Sequence, residues 1–275
     1  MSAAGSGVRK RRFRRAARRP REPGTPPRGL YLLPHLVTTA NLFFGFFAIV
    51  QAFTGKPDLA ALGIVLAGLC DAIDGRVARL SRTTSRFGME YDSLADIVSF
   101  GVAPAMVAFS AGNLQVLGRA GWVMAFLFTA CAALRLARFN VSASRYKGRF
   151  EGLPSPAAAG VVATTQWFVS YLHAHGVEFS IPESIVAWGT AVLGLLMVSA
   201  IPYRSFKEVD LRHSYGTLVL VVVAIAVVIQ EPSVSLFFLG LAYTVSGPVE
   251  WLWRWFADKP LEKTPQTAAS ETPQG

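Results

Sequence analysis

Residues 29–55 read GLYLLPHLVTTANLFFGFFAIVQAFTG, a stretch without a single lysine, arginine, aspartate or glutamate. A helix needs about 20 mostly apolar residues to cross the hydrocarbon core of a bilayer, so this stretch is long enough to span it. The whole chain has the same character, since 52% of its 275 residues are hydrophobic and only 16% are charged. Soluble domains carry about 25% charged residues. The composition therefore predicts an integral membrane protein.

The remaining apolar stretches predict how many helices cross the membrane. Two short runs, 59–70 and 120–134, end where charged residues intrude. Longer charge-free stretches lie at 97–118, 152–177, 184–203, 213–230 and 232–249. Together with the first stretch they predict an all-α polytopic protein with about eight transmembrane helices, forming one membrane domain over residues 31–256.

The positive charges predict the orientation. Ten of the 27 lysines and arginines lie in residues 1–30, and the formal net charge of the chain is +10. Cytoplasmic segments of membrane proteins are enriched in lysine and arginine. If residues 1–30 are cytoplasmic, eight crossings leave 25 of the 27 on that side and only Lys56 and Arg119 on the other. We therefore expect both termini in the cytoplasm.

The two ends of the chain are predicted to be disordered tails, residues 1–30 and 257–275. The first is basic, and each lysine or arginine near an anionic lipid surface contributes about 1 kcal/mol of attraction. We therefore expect this tail to bind lipid headgroups rather than nucleic acid, for which charge alone is weak evidence. The two cysteines, Cys70 and Cys131, are too few for a disulfide framework.

Four aspartates are the most costly residues of the apolar segments. They lie in residues 71–96, which read DAIDGRVARLSRTTSRFGMEYDSLAD. An acidic residue at the centre of a membrane helix costs about 2.5–3.5 kcal/mol. Asp71 and Asp74 are three residues apart, and Asp92 and Asp96 are four apart, so each pair shares one helix face. A loop of about ten residues is predicted to bring the two faces together.

The chemistry of this cluster favours a divalent cation. Carboxylates this close need a counter-charge, and oxygen ligands without histidine or cysteine suit Mg²⁺ or Mn²⁺ rather than zinc. Gly75 and Gly88 leave room for a ligand at the backbone, and the Arg79 guanidinium matches a pair of phosphate oxygens. Two other interpretations are ion pairing of the aspartates with nearby arginines and an ion-coupled transporter, whose acids usually lie near the membrane midplane.

The pattern Asp71-x2-Asp74-Gly75-x2-Ala78-Arg79-x8-Gly88-x3-Asp92-x3-Asp96 resembles the signature of the CDP-alcohol phosphatidyltransferase family. The resemblance implies transfer of a phosphatidyl group from CDP-diacylglycerol to an alcohol, with release of CMP. It implies that the four aspartates bind two divalent ions, Mg²⁺ or Mn²⁺, and that Asp96 is also the general base. The nucleotide-side residues that it implies are Gly75, Ala78, Arg79, Ser85, Gly88 and Thr38.

Other segments predict the acceptor. They are similar to the membrane-integrated phosphatidylserine synthases and read LPHLVTTANLFFGFFAI (33–49), ARFN (137–140), FEGLPSPAAAG (150–160) and IPYRSFK (201–207). This similarity implies L-serine as the acceptor, with phosphatidylglycerophosphate synthesis as the alternative. Arg138 and Asn140 are predicted on the acceptor side because they lie close to the membrane on the side of the active site. Relatives commonly have Pro-Asn where this chain has Pro34-His35. The resemblance also implies a homodimer. We expect the protein in the bacterial cytoplasmic membrane, where the distribution of positive charge places the active site on the cytoplasmic side.

Overall fold

A computed structural model of the chain describes residues 32–81, 86–141, 149–204 and 215–257, and these are almost entirely helical. A π-helical segment, Ile97–Val102, joins α3 to α4 without a break, so the described residues form eight helical rods. The helices are α1 Leu32–Phe53, α2 Pro57–Ser81, α3 Arg86–Asp96, α4 Ala103–Ser110, α5 Arg119–Val141, α6 Ser155–Ala174, α7 Glu183–Val198, α8 Tyr215–Gln230 and α9 Pro232–Phe256. The strands are β1 Arg149–Glu151 and β2 Pro202–Arg204.

Half of these rods are long and apolar enough to cross a membrane. They are His35–Phe53, Arg86–Ser110, Arg119–Val141 and Pro232–Phe256. Large apolar side chains on their outer surfaces are exposed, among them Phe46, Phe126 and Leu239. Apolar residues that face outward on apolar helices are the pattern that lipid contact requires, so the chain is a helical membrane protein.

The helix bounds correct two of the predictions made from the sequence. The rod predicted over 97–118 begins at Arg86 and ends at Ser110. Helix α2 continues to Ser81, so only residues 82–85 separate it from α3, and the predicted loop of about ten residues is wrong. Charge-free stretches mark apolar length, whereas a helix continues through charged residues wherever its backbone hydrogen bonds and packing continue.

Small residues make up most of one contact region between the helices. One apolar cluster joins α1, α2, α4 and α6 and contains Ala48, Ala60, Ala61, Ala67, Ala103, Ala159 and Ala163. Small side chains let helix backbones approach closely, and this close packing holds membrane helices together. Where α1 crosses the π-helical segment, a Cβ atom added to Gly45 would lie 2.7 Å from the Cα atom of Ser99. Glycine is therefore required where α1 crosses the π-helical segment.

The antiparallel strands β1 and β2 tie together two loops, one before α6 and one after α7. Gly152, which follows β1, has φ +77°, and a Cβ atom there would overlap the carbonyl oxygen of Met197. Its backbone N–H donates to Ile201 O at 2.9 Å, and the N–H of Leu153 donates to Leu196 O at 3.0 Å. Pro154 is the N-cap residue of α6, and Pro156 lies in its first turn. The turn into α6 is thus fixed against the end of α7.

Tyr203 of β2 fixes the same loop to α9. Pro248 lies inside α9 and has no N–H to donate to the carbonyl of Thr244, four residues before it. The Tyr203 hydroxyl donates to that carbonyl at 3.0 Å, and Gly247 provides the space for its ring. Burial, and then the neighbouring Tyr243, raise the pKa of Tyr203 to about 12, so its hydroxyl keeps its proton at neutral pH. The tyrosine replaces the helix hydrogen bond that the proline removes.

Tyr203→Phe is expected to lower the free energy of unfolding by about 1–3 kcal/mol, because it leaves a buried carbonyl without a donor. The measurement is the melting temperature in detergent. Tyr171→Phe is the matched control, since Tyr171 lies at the far end of α6 and its hydroxyl makes no hydrogen bond to the described residues. Equal melting temperatures for the two variants would contradict the role assigned to Tyr203.

Candidate active site

Three aspartates from two helices meet at one end of the bundle. Asp71 lies on α2, and Asp92 and Asp96 lie one turn apart on α3. One carboxylate oxygen from each lies within 4.8 Å of those of the other two. The short connection between α2 and α3 and the close packing of both helices on α1 produce this arrangement. The structure thus brings together three of the four aspartates that the sequence pairs.

The fourth aspartate, Asp74, is held by α1. It is 7% exposed, and its carboxylate accepts a hydrogen bond from the hydroxyl of Thr38. Thr38 is itself 3% exposed, so the residue that the family resemblance assigns to the nucleotide side contacts a motif aspartate here. Asp74 is not part of the group of three within 4.8 Å. Its role as a metal ligand stays a prediction.

Asn41 is a further residue of the site that the sequence did not single out. Its Nδ2 atom donates to Asp96 Oδ1 at 2.9 Å, and its side chain is fully buried. Ser99 Oγ donates to the backbone carbonyl of Asn41 at 3.0 Å, next to the close approach at Gly45. These contacts fix one oxygen of Asp96. The signal in the sequence is an asparagine inside an apolar helix, which is costly unless it has a buried polar partner.

The three clustered aspartates fit a divalent cation. Mg²⁺ and Mn²⁺ prefer oxygen ligands, and Asp71, Asp92 and Asp96 present them from both sides of one small space. One oxygen of Asp92, Oδ1, is buried without a hydrogen-bond partner among the described residues. A buried carboxylate oxygen without a donor is destabilising unless a cation or another ligand compensates it. A divalent cation bound here would supply that compensation.

The predicted nucleotide-side residues are only partly described. Gly75 follows Asp74 on α2, and a Cβ atom added to it would meet nothing within 4 Å, so open space lies beside the cluster. Gly88 lies in the first turn of α3 and is half-buried. The side chains of Ala78 and Arg79, and the whole of Ser85, lie outside the part of the chain that the structure describes.

Arg138 and Asn140, predicted on the acceptor side, lie near the end of α5. Arg138 donates to the backbone carbonyls of Glu151, Val198 and Ser199 at 3.0–3.4 Å, and its guanidinium lies 3.7 Å from the Glu151 carboxylate. Its contacts therefore join β1 to the end of α7. Asn140 is exposed and donates to Ser93 Oγ at 2.9 Å, one residue from Asp92. Both residues remain predictions as substrate contacts.

Arg135, one turn before Arg138, lies level with Asp96, because Thr129 of the same helix donates to Gly101 O at 3.2 Å and Asn140 donates to Ser93 Oγ at 2.9 Å. It is 9% exposed, and the charged groups that act on it electrostatically are Arg138 and then Asp96 and Asp71. Its Nη1 atom donates to the Ser155 hydroxyl at 3.2 Å, at the start of α6. From the sequence, Arg135 is simply one of several positive charges near a helix end, so burial alone distinguishes it.

Aromatic side chains lie at the start of α3. The rings of Phe87 and Tyr91 stack with centroids 6.0 Å apart, and the Tyr91 and Thr39 hydroxyls lie within 3.0 Å. The ring of His35 meets Phe87 edge-on at 5.6 Å. His35 thus packs α1 against the first turn of α3.

These features agree with the comparison to known proteins. Residues 31–196 match the CDP-alcohol phosphatidyltransferase family, and the chain belongs to that family. It is 37% identical to the CDP-diacylglycerol–serine O-phosphatidyltransferase of Helicobacter pylori strain 26695 over 228 residues, covering 82% of this chain and 94% of that protein.

Two other relatives carry the same name. The protein of Mycobacterium tuberculosis strain H37Rv is 32% identical over 264 residues, covering 85% of each chain. That of Bacillus subtilis strain 168 is 33% identical over 176 residues, covering 64% of this chain and 92% of the relative. The similarity extends well beyond the aspartate motif in the first two cases.

Proposed function

We propose that this protein transfers the phosphatidyl group of CDP-diacylglycerol to L-serine, giving phosphatidylserine and CMP. The observation that carries the proposal is the group of three aspartates, Asp71, Asp92 and Asp96, within the motif of a chain that belongs to the family. The relatives named for this reaction, each more than 30% identical to the chain, supply the acceptor.

In the reaction that we propose, the hydroxyl oxygen of serine attacks the phosphorus atom that carries the diacylglycerol. A new phosphorus–oxygen bond forms, the bond to the CMP phosphate breaks, and CMP leaves. Asp96 accepts the hydroxyl proton on its second carboxylate oxygen, because Asn41 donates to Oδ1. General-base help of this kind contributes about 10²–10⁴ in rate.

The metal ligands that we propose are Asp71, Asp74, Asp92 and Asp96, binding two Mg²⁺ or Mn²⁺ ions. When bound, such ions offset the negative charge of the pyrophosphate and of the attacking and leaving oxygens. Gly75 leaves open space for the nucleotide beside the carboxylates. Ala78, Arg79, Ser85 and Gly88 complete the nucleotide side in this proposal.

The proposed topology has eight spans, with the active site and both termini on the cytoplasmic side of a bacterial membrane. Its support is the distribution of lysine and arginine, since 25 of 27 lie on one side in this arrangement. The basic segment 1–30, which lies outside the described residues, is proposed to bind anionic headgroups. A homodimer is proposed from the family resemblance alone.

The assay that tests the function is CMP release by the purified protein with CDP-diacylglycerol and a panel of acceptors. We expect release with L-serine, phosphatidylserine as the lipid product, and no release without an acceptor. Release with glycerol 3-phosphate but not with serine would reassign the acceptor within the family. No release with any alcohol, from folded protein supplied with Mg²⁺ or Mn²⁺, would overturn the proposal.

A further inference from the structure

One hydrogen-bond donor of the buried Arg135 guanidinium is unpaired among the described residues. Its Nη1 atom is bound by Ser155, but its Nε atom is buried without a partner among the described residues. Buried arginine side chains usually have their donors paired, because an unpaired buried donor is costly and more so on a charged group. Arg135 is 9% exposed, so bulk water is largely kept from it.

The neighbouring Arg138 shows the contrast. The two arginines are three residues apart on α5 and therefore lie on the same helix face. Arg138 is half-buried, and three backbone carbonyls and the Glu151 carboxylate surround its guanidinium. Through those contacts Arg138 binds the loop before α6 and the end of α7. Arg135 is thus the arginine of this pair that is buried and incompletely paired.

The position of Arg135 selects the kind of ligand. Arg135 lies on α5 between Thr129, which donates to Gly101 O, and Asn140, which donates to Ser93 Oγ, and this places it level with Asp96, the proposed base. A ligand that contacts both residues has a hydroxyl group that can give its proton to Asp96 and a negatively charged group that can bind Arg135. Serine has this form, because only a few bonds separate its hydroxyl from its carboxylate. An arginine guanidinium binds a carboxylate through parallel N–H···O hydrogen bonds, which gives geometric as well as electrostatic recognition.

We propose that Arg135, through Nε and the guanidinium edge beside it, binds the carboxylate of the amino-acid acceptor, and that Ser155 orients this guanidinium. The proposal rests on the proposed function and deepens it by assigning acceptor specificity to one residue. Arg135 then selects an amino acid over an amino alcohol, because a buried guanidinium left without its anion is costly. A phosphate oxygen of CDP-diacylglycerol has the same oxyanion chemistry, and the experiment separates these two sources.

The experiment compares L-serine with ethanolamine, which is serine without its carboxylate. Arg135→Gln removes the charge and keeps a polar side chain. We expect kcat/KM for serine to fall about 10–100-fold, which is the usual loss for one hydrogen bond to a charged group. The kcat/KM for ethanolamine and the KM for CDP-diacylglycerol should stay near their wild-type values. The ratio of serine to ethanolamine use is therefore the readout.

Arg138→Gln is the matched control on the same helix. It removes the contacts that hold the loops, so we expect a lower melting temperature and a similar loss with both acceptors. A second readout is inhibition of the serine reaction by L-alanine, which keeps the carboxylate and lacks the hydroxyl. Its inhibition constant should rise more in Arg135→Gln than in Arg138→Gln, and the reverse order would assign the carboxylate to Arg138, which is predicted on the acceptor side from the sequence.

Several outcomes would overturn the inference. A rise in the KM for CDP-diacylglycerol with an unchanged acceptor ratio would assign Arg135 to the donor phosphate. An unchanged acceptor ratio and an unchanged L-alanine constant would remove it from anion recognition altogether. If Arg135→Gln does not fold, Arg135→Lys is the replacement, because it keeps the charge without the planar guanidinium. We expect its ratio of serine to ethanolamine use to be lower than that of the wild type. Failure of the wild-type protein to use serine at all would instead reject the proposed function.

Discussion

Asp96→Asn is expected to slow turnover at least about a hundredfold at neutral pH while leaving CDP-diacylglycerol binding measurable. The substitution keeps the size of the side chain and one oxygen that accepts the Asn41 hydrogen bond, which the structure places on Oδ1 at 2.9 Å. It removes the basic carboxylate that takes the serine proton. The loss should therefore lie in the chemical step rather than in donor binding.

The Asp96 experiment has two measurements and one control. Donor binding is measured by calorimetry, and the reaction by serine-dependent CMP release. Glu90→Gln is the control, because it removes one carboxylate from an exposed position on the same helix and should leave both measurements unchanged. If Asp96→Asn binds the donor normally and reacts at nearly the wild-type rate, another group or solvent is the base.

The sequence was sufficient to predict that aspartates from two helices meet. One helix face carries Asp71 and Asp74, and one face of the next helix carries Asp92 and Asp96. The connection between the two helices is short, so they are expected to pack side by side. The structure places Asp71, Asp92 and Asp96 together in this way. The helix periodicity did not predict that Thr38 would bind Asp74, because that contact depends on how α1 is rotated against α2.

The π-helical segment that follows Asp96 could not be predicted from the sequence either. Residues 97–102 are apolar or small and would suit an ordinary helix. The deviation arises where Ser99 packs on Gly45 and where Pro104, two residues after the segment, cannot donate a backbone hydrogen bond. Such segments occur frequently at functional sites. Formation of this segment depends on tertiary contacts, and the residue pattern of one helix does not predict those contacts.

The sequence also did not predict which arginine of α5 recognises the acceptor. Arg135 and Arg138 occupy one helix face, and charge counting treats both as cytoplasmic positive charges. Their difference lies in what packs opposite them. Ser155 binds the Arg135 guanidinium, which lies level with Asp96, while backbone carbonyls surround the guanidinium of Arg138. A prediction from distance to the membrane therefore favoured Arg138, and the contacts favour Arg135 for the acceptor.

Asp71→Asn and Asp92→Asn are expected to abolish measurable turnover at ordinary Mg²⁺ concentrations. Each removes one charge from a group of three carboxylates whose oxygens lie within 4.8 Å of one another. The affinity for a divalent cation should fall at least about tenfold, or about 1.4 kcal/mol. Mn²⁺ binding, followed by electron paramagnetic resonance, measures this loss independently of activity.

The matched control for the metal prediction is Asp58→Asn. Asp58 lies on α2 like Asp71, but it is exposed in the first turn of the helix, at the opposite end from the cluster. This variant should bind Mn²⁺ and react as the wild type does. Asp74→Asn separates two roles of the fourth aspartate, since a ligand loses Mn²⁺ affinity, whereas a partner of Thr38 alone keeps it. Full activity of wild-type protein stripped of metal with EDTA would reject a bound cation for the whole cluster. The protein would then be active without the counter-charge that such closely spaced carboxylates require.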